Sequence, residues 1–521
     1  MNLSIHFPIL IIALPLLTAF IIPLIGKINK KAPGIFATLT LGISLIFTIL
    51  VAVKVMTAGA QVYVFGAKST ALTLPSGLRF PIRIIFEIDA MSIFMGLITA
   101  TVSFLGALYS LAFIEKEGGL DKYYSLLLLL TVGMFGMELT GDIFNFFVFL
   151  EIASIASVAL ISFRGPQAGE PAEAGFKYMV VSSISALIVL FAIGIFYGQY
   201  DVLNFAALAK LIRYSQLDKI ALALMVPVLA MKAGAVPMHM WTPDAYSEAP
   251  APITMILVAA SQASLYALFR VTFSLYNIQL NTLTVGWIII VFGLLSMFIG
   301  VTMAIIQKDI KRLMAYHAIS QTGYMLLGVG VGLAVLNDPV ALQKYGITAM
   351  EGGIFHIMNH ALYKGLLFLT AGALFYRTGT RDLNNMGGLA HSMKYTTIFF
   401  IIGAAAIAGL PPFNGFASKL LIYESAYRFN PLLSIVAMVV SILTLASFVK
   451  VFHSAFLGPK LPCFKEVQEV PRSMVFAMAV LSCIIIFFGL FPDVIVKNLV
   501  HPAAMSLIEQ SKYSAIILGG R

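Results

Sequence analysis

Residues 220-IALALMVPVLAMKAGAVPMHMW-241 hold a single charged side chain, Lys232, in the middle of an apolar run, with Pro237 five residues later. An ammonium at that depth in a membrane costs roughly 2.5 kcal/mol or more, so it persists where it does work. A proline inside a membrane helix frees backbone groups, which is tolerated where they line a wet cavity. A charged side chain beside a broken helix is the mark of an ion path through a transporter.

The rest of the chain fits that reading. Of its 521 residues 60% are hydrophobic and 11% charged, with a mean hydropathy of +0.96, whereas soluble domains carry about 25% charged residues. This is the composition of an all-α polytopic membrane protein embedded in a lipid bilayer. The net charge of +10 does not point to nucleic acid, because the basic residues form no arginine-rich patch with interleaved aromatics. They sit in short loops, as topology signals do. Cys463 and Cys483 offer no metal or disulfide framework. No basic residue precedes the first apolar run, 8–25, and Lys27 is the first; that favours a first span over a cleaved signal peptide.

A span needs about 20 apolar residues. About fourteen stretches qualify: 8–25, 34–56, 90–113, 123–139, 143–163, 176–198, 219–237, 252–274, 284–306, 313–333, 352–376, 396–427 (broken), 431–456 and 473–493, with an interfacial piece at 495–516. Residues 62-VYVF-65 and 71-ALTLPSGLRFPI-82 are strand-like, which predicts a small exposed hairpin in the loop 57–89. One set of alternate loops holds Lys27, Lys30, Lys31, Lys308, Lys311, Arg312, Arg377 and Arg381. The positive-inside rule puts that set in the cytoplasm and both termini outside; Lys210, Arg213 and Lys219 run against it.

An internal repeat is legible. Residues 175-GFKYMVVSSISALIVLFAIGIFY-197 and 353-GIFHIMNHALYKGLLFLTAGALFY-376 both open on Gly and an aromatic and end in Phe-Tyr. The seventh and twelfth spans both place a lysine near prolines: Lys232 before Pro237, and Lys419 after Pro411 and Pro412. Two related units of five spans have opposite orientation, because five is odd; that is an inverted repeat. The expected organisation is 1–122 (three spans and the hairpin), 123–274 (first repeat), 275–456 (second repeat) and 457–521 (a last span and an interfacial helix).

Several residues could carry chemistry. Glu151, in 144-FNFFVFLEIASIAS-157, has aromatic surroundings that disfavour a charged carboxylate, while a nearby Lys232 would favour it. It reads as a proton-binding partner of Lys232 or as half of a static buried pair. His356, His360 and Lys364 are spaced four apart, a stripe about 12 Å long on one helix face. That suits a proton relay through water; a metal site lacks Cys or carboxylate ligands here, and helix-packing polarity is the plainer alternative. Pro411, Pro412 and Gly415 should break the twelfth helix and leave Lys419 inside, with Glu424 as its partner, unless Lys419 snorkels to the interface. In 237-PMHMWTPDAYSEAPAP-252, His239, Asp244 and Glu248 could gate proton entry from the cytoplasmic side, or form a rigid turn capped by Asp244. In 308-KDIKRLMAYHAISQTGYM-325 the basic start serves topology and capping, while His317 and Gln321 could wet the path. No phosphate-binding loop, dinucleotide fingerprint or cysteine cluster is present, so no cofactor is expected in this chain.

Four strings in order, KAGAVPMHMWTPDAYSEAPAP (232–252), DIKRLMAYHAISQTGYM (309–325), HIMNHALYKGLLFLTAG (356–372) and GLPPFNGFASK (409–419), resemble the antiporter-like subunit family. That family includes the proton-pumping membrane subunits of respiratory complex I and the large subunits of Mrp-type sodium/proton antiporters. It also includes the matching subunits of membrane-bound nickel–iron hydrogenases and sulfur-reducing complexes. The resemblance is strong over roughly residues 85–460. It implies fourteen spans, two inverted five-helix repeats and a midplane axis of charged residues, onto which Glu151, Lys232, His360, Lys364 and Lys419 map. Loss of the Glu151–Lys232 pairing would then drive a proton toward Lys419, with the groups titrating together. Two positions depart from the family: Gln262 stands where many members carry lysine, and His317 where serine is frequent. The chain ends soon after the fourteenth span, in which it resembles the shorter, D-type Mrp or hydrogenase-type subunits.

The resemblance implies a proton-translocating subunit, or one exchanging sodium for protons, of a complex I-related respiratory complex in a prokaryotic plasma membrane. Its partners would be other membrane subunits and peripheral nickel–iron or iron–sulfur subunits. The Mrp-type antiporter subunits share every motif. A transport-inactive scaffold is the reading of another class, and it predicts a broken ionisable axis.

Overall fold

The computed structural model describes residues 3–65, 84–115, 117–163, 169–277, 281–459, 461–464 and 466–518. Helices α1 (Phe7–Ile28) and α2 (Ala32–Ala58) form a hairpin, each opened by a proline in its first turn, where the missing N–H costs nothing. Strands β1 (Gln61–Val64) and β2 (Ile85–Ile88) pair antiparallel, with Gln61 opposite Ile88. α3 (Ala90–Phe113), α4 (Leu120–Leu139), α5 (Ile143–Ile161) and α6 (Gly169–Tyr200) follow. A short α7 (Phe205–Leu211) leads to α8 (Gln216–Lys232), which starts on a capping box of Ser215 and Asp218. After a break, α9 (Trp241–Glu248) resumes, and α10 (Ala251–Phe269) runs on as a π-helical segment, Arg270–Tyr276.

α11 (Thr282–Ile305), α12 (Ile310–Ala334), the single turn α13 (Pro339–Ala341) and the long α14 (Ile347–Thr378) lead to a second broken pair, α15 (Lys394–Ala408) and α16 (Asn414–Phe429). α17 (Pro431–Ala455) and α18 (Arg472–Leu490) close the bundle; α19 (Pro492–Ile495), α20 (His501–Ile508) and α21 (Gln510–Leu518) form the C-terminal piece. Aspartate and asparagine caps at Asp89, Asp142, Asn204, Asn281, Asp309 and Asn430 satisfy first-turn N–H groups.

Each stretch of sequence expected to span coincides with a helix or a broken pair. Among the described residues nine helices are long and apolar enough to cross a membrane: α1, α2, α3, α5, α6, α10, α11, α17 and α18. The other long segments, α4, α8, α12, α14 and α16, carry Glu138, Lys232, His317, the His356–Lys364 stripe and Lys419. α4, α12 and α14 lie largely inside the bundle, with nearly every residue of α12 buried, while α8 and α16 bury their lysine-bearing faces and expose others. Apolar faces of α1, α2, α6 and α17 are exposed, as lipid requires.

α11 and α12 touch backbone to backbone. A Cβ built on Gly286, Gly293 or Gly300 would come within 2.8 Å of Ala334, Gly323 or Ser320 main-chain atoms. Glycines seven apart make a smooth seam of the kind that joins membrane helices by close packing.

The strand expected over 62–65 forms, but its partner is Ile85–Ile88, whose four residues are buried, so the ribbon is not simply an exposed hairpin. Residues 71–82 lie outside the described residues.

Candidate functional site

Lys232 is the last residue of α8, and only 6% of it is exposed. Its Nζ donates to Ser154 Oγ at 2.6 Å and to Ser182 Oγ at 2.8 Å. Gly234 turns the chain with φ +78°, a left-handed conformation that favours glycine. The Val236–Pro237 bond is cis, and Trp241 Nε1 ties the far side back to Met231 O at 2.9 Å. Glu151 sits one turn before Ser154 on α5, half-buried, with Oε1 unpartnered. It acts on Lys232 electrostatically, but among the described residues no direct ion pair joins the two. This corrects the expected contact: serines hold the ammonium, because α5 and α6 present hydroxyls at its level.

Gln262 and His360 meet directly. Gln262 Nε2 lies 2.7 Å from His360 Nδ1 and donates to Ile357 O at 3.0 Å. That leaves His360 Nε2 and Gln262 Oε1 as buried atoms without a partner. His356 is fully engaged, with Ser418 Oγ at 2.9 Å on Nδ1, and Gln321 Oε1 at 3.2 Å and Tyr363 Oη at 3.1 Å on Nε2. The stripe on α14 therefore fans out: His360 turns to α10, His356 to α12 and α16. Lys364 Nζ donates to Met314 O at 2.6 Å and lies over the rings of Phe368 and Phe448. His317 Nε2 meets Ser447 Oγ at 2.8 Å, and its Nδ1 is open. A ring nitrogen with no partner is the atom on which a passing proton can reside.

Lys419 lies in the second turn of α16, 1% exposed, and reaches back to the second break. Its Nζ donates to Ile407 O at 2.8 Å and to Ser441 Oγ at 3.0 Å, and it sits 4.6 Å from the centre of the Tyr324 ring. The turn at this break is made by Gly409, φ +77°, followed by the cis Pro411–Pro412 bond. Gly415 has a different task from the expected one. It is already helical, and a Cβ there would meet Ala406 O at 1.9 Å. Asn359 and Asn414, which sequence reasoning missed, clasp α14 to this break: Asn359 Nδ2 donates to Asn414 O at 2.9 Å and Asn414 Nδ2 to Asn359 Oδ1 at 3.0 Å. Glu424 is not the partner of Lys419; it is exposed and pairs with Arg428 at 2.7 Å.

Asp244 and Glu248 line a charged vestibule of about 370 Å³ at the end of α9. Asp244 takes Lys177 at 2.9 Å and Arg312 at 2.7 Å; Arg381 joins Glu248 at 3.0 Å and Asp309 at 3.0 Å. Burial works against the Asp244 carboxylate, but the hydrogen bonds from Lys177 and Arg312 hold it below the usual carboxylate range. Asp244 thus bridges α6 and α12 rather than capping a turn. The His239 ring lies with Nδ1 3.3 Å from Pro237 O in its own loop. Lys177 and Ser182 lie five residues apart on α6, about 7.5 Å of helix rise, so the vestibule opens one short step from Lys232. Among the described residues no group of three or more His, Cys, Asp or Glu side chains converges as a metal site.

Buried lysines and histidines strung between two helix breaks and reached from a charged vestibule are the makings of an ion path. Comparison with known proteins gives the family. Residues 140–444 match the family model described as NADH:quinone oxidoreductase/Mrp antiporter, TM, and residues 75–124 match the model of the N-terminus of complex I chain 5. The N subunit of the NADH-quinone oxidoreductase from Desulforudis audaxviator is 30% identical, over 96% of this chain and 98% of its own. A Na(+)/H(+) antiporter subunit from Alkalihalophilus pseudofirmus is 29% identical, and the chain spans 62% of that longer relative. Among solved structures, a chain of the Mrp complex from Dietzia sp. DQ12-45-1b superposes with a TM-score of 0.87 at 25% identity, covering 100% of both chains. A chain of the membrane-bound sulfane sulfur reductase, an archaeal respiratory membrane complex, gives 0.84 at 30% identity over 98% of this chain and 99% of its own. The chain is a multi-pass membrane protein and belongs to the NADH:quinone oxidoreductase/Mrp antiporter family of membrane subunits.

Proposed function

We propose that this chain is a proton-translocating membrane subunit of a complex I-related respiratory complex, such as a sulfur reductase or a membrane-bound hydrogenase. The observation that carries the reading is the run of buried ionisable nodes, Lys232, Gln262–His360, Lys364, His317 and Lys419, each on a different helix or face and each held by hydroxyls or carbonyls. An anionic Glu151 stabilises the ammonium of Lys232 by Coulomb attraction. Neutralising Glu151 removes that attraction and frees the proton to move along α10 and α14 toward Lys419. His360 and His317 take part through their open ring nitrogens. His356 positions Gln321 and Ser418, and Asp244 and Glu248 shape the entrance.

The fourteen spans, the two inverted five-helix repeats (123–274 and 275–456), the outward termini and the prokaryotic plasma membrane belong to this proposal. A multi-subunit setting is supported by Glu151 itself. A half-buried carboxylate on a helix whose neighbours Val148 and Ile155 are exposed would be costly against lipid; a neighbouring protein chain would cover it. The similarity to a sulfur reductase chain over nearly its full length favours a redox-driven complex with iron–sulfur or nickel–iron partners. The similarity to an Mrp chain favours the second reading, a component of a sodium/proton antiporter.

Two experiments test this. The tagged chain is extracted in mild detergent and its partners identified by mass spectrometry; redox subunits support the first reading, and small membrane proteins alone support the second. Lys232→Ala and Glu151→Gln are then assayed for gradient formation in inverted vesicles. Unchanged pumping in both would sink the mechanism.

A further inference from the structure

One buried carboxylate lies off the axis. Glu138, in the last turn of α4, is 0% exposed. Thr99 Oγ1 donates to its Oε1 at 2.7 Å, and its Oε2 has no partner. Among the described residues no cation is paired with it. A buried carboxylate without a compensating charge takes up a proton rather than remain charged.

A chain of hydroxyl and ionisable groups begins at the Glu138 main chain. Gln262, Tyr266 and Arg270 lie four residues apart on α10, a stripe about 12 Å long by helix geometry. It begins at the Gln262–His360 contact of the axis. Tyr266 Oη donates to the Glu138 main-chain oxygen at 2.9 Å, so α10 brings a hydroxyl to the Glu138 backbone, while Thr99 of α3 is the hydroxyl on its carboxyl. Tyr266 Oη is also 3.2 Å from Ser92 Oγ and accepts from Arg270 Nε at 2.9 Å. Arg270 also bonds Ser92 Oγ at 3.0 Å and the Asp89 carboxylate. A cavity beside Thr140, Tyr266, Arg270 and Tyr513 measures about 10 Å³, near the size that admits one water.

The stripe ends in a second acidic excess. Glu87, on β2, is 1% exposed, and the Tyr513 side chain is its hydrogen-bonding neighbour. It shares one guanidinium, Arg270, with Asp89, and Tyr513 of α21 lies alongside. It also packs on Gly141, next to the helix cap Asp142. Among the described residues, two carboxylates face one guanidinium. Burial, reinforced by Asp89, pushes the Glu87 carboxyl well above the usual range. The cluster sits where α3 and α5 begin, at the end of the bundle opposite the vestibule, which lies where α12 begins and α14 ends.

We propose that Glu138 is a further proton-binding carboxyl of this protein. It exchanges its proton with the face opposite the vestibule through Tyr266, Ser92 and the Glu87–Asp89–Arg270 cluster. This branch leaves the axis at Gln262 and rests on the translocation reading above. In the step, the Glu138 carboxyl O–H breaks, a hydroxyl accepts that proton and releases its own onward, and a carboxylate of the cluster receives one. Protons and charge balance without any redox partner.

The test uses vesicles carrying the whole assembly. Glu138→Gln and Tyr266→Phe are each expected to lower proton translocation about tenfold, within the scale on which positioned proton donors act, and Glu138→Asp to restore part of it. Ser482→Ala, a buried α18 serine bonded only to its own helix, serves as the control. Infrared difference spectra on protonation should lose a carboxyl C=O band in Glu138→Gln and keep it in Tyr266→Phe. Full translocation in both Glu138→Gln and Tyr266→Phe, with loss in Glu151→Gln, overturns the branch and leaves the axis standing. Full translocation in all three overturns both. If Glu138→Gln does not assemble, Tyr266→Phe and Ser92→Ala decide the matter by the same loss or retention.

Discussion

The two helix breaks solve one problem in opposite ways. At the first, Lys232 ends the half-helix before the break, and its ammonium is held by hydroxyls from α5 and α6, with Glu151 one turn away. At the second, Lys419 follows the break, and its ammonium is held by Ile407 O, a carbonyl at the break itself, and by Ser441. A carboxylate can gain or lose charge; a carbonyl dipole cannot. The first lysine can therefore be switched from outside its own helix, whereas the second has a fixed seat. The half-helices beyond the breaks differ as well. α9 is anchored by ion pairs through Asp244 and Glu248, and α16 by the Asn359–Asn414 amide clasp.

The largest effect should come from the lysines. Lys232→Ala and Lys419→Ala should each cut proton translocation by about 100-fold, read as gradient formation in vesicles. Retention in either variant breaks the symmetry of the pair. Next, Glu151→Gln should impair translocation severely while Glu424→Gln leaves it unchanged, because only the first lysine has a carboxylate within electrostatic reach. Equal losses would erase the distinction drawn here. Third, Asn359→Ala leaves buried groups of Asn414 without a partner and should cost about 1–3 kcal/mol, seen as a lower thermal unfolding temperature of the purified assembly. The smallest effect belongs to Asp244. Its folded carboxyl titrates below the ordinary value of 3.8, so its stabilisation is complete above that value and is lost as pH falls through the lower folded one. Asp244→Asn should therefore lower stability at neutral pH and little in strong acid. High salt should shrink the difference, since the pairs are partly exposed.

The helices and the buried lysines were legible because charge inside an apolar run is conspicuous: Lys232, Lys364 and Lys419 announce themselves. The partners were less so. Ser154 and Ser182 look like ordinary small residues, although Ser154 stands three positions after Glu151 and so shares its face. Asn359 and Asn414 carry no charge and are lost among apolar neighbours. Glu424 was misplaced by counting: five residues from Lys419 is about 140° around a helix at 3.6 residues per turn, so the two point apart. Glu138, at the very end of its apolar stretch, passes for an interfacial residue until the packing of α3 and α10 around it is seen.

The glycine seam between α11 and α12 carries a mechanical consequence. With main chains in contact at intervals of seven residues, any larger residue at Gly286, Gly293 or Gly300 would have to push α11 and α12 apart. α12 bears His317 and Gln321 and accepts the Lys364 hydrogen bond through Met314, so such a substitution would displace those groups without touching them.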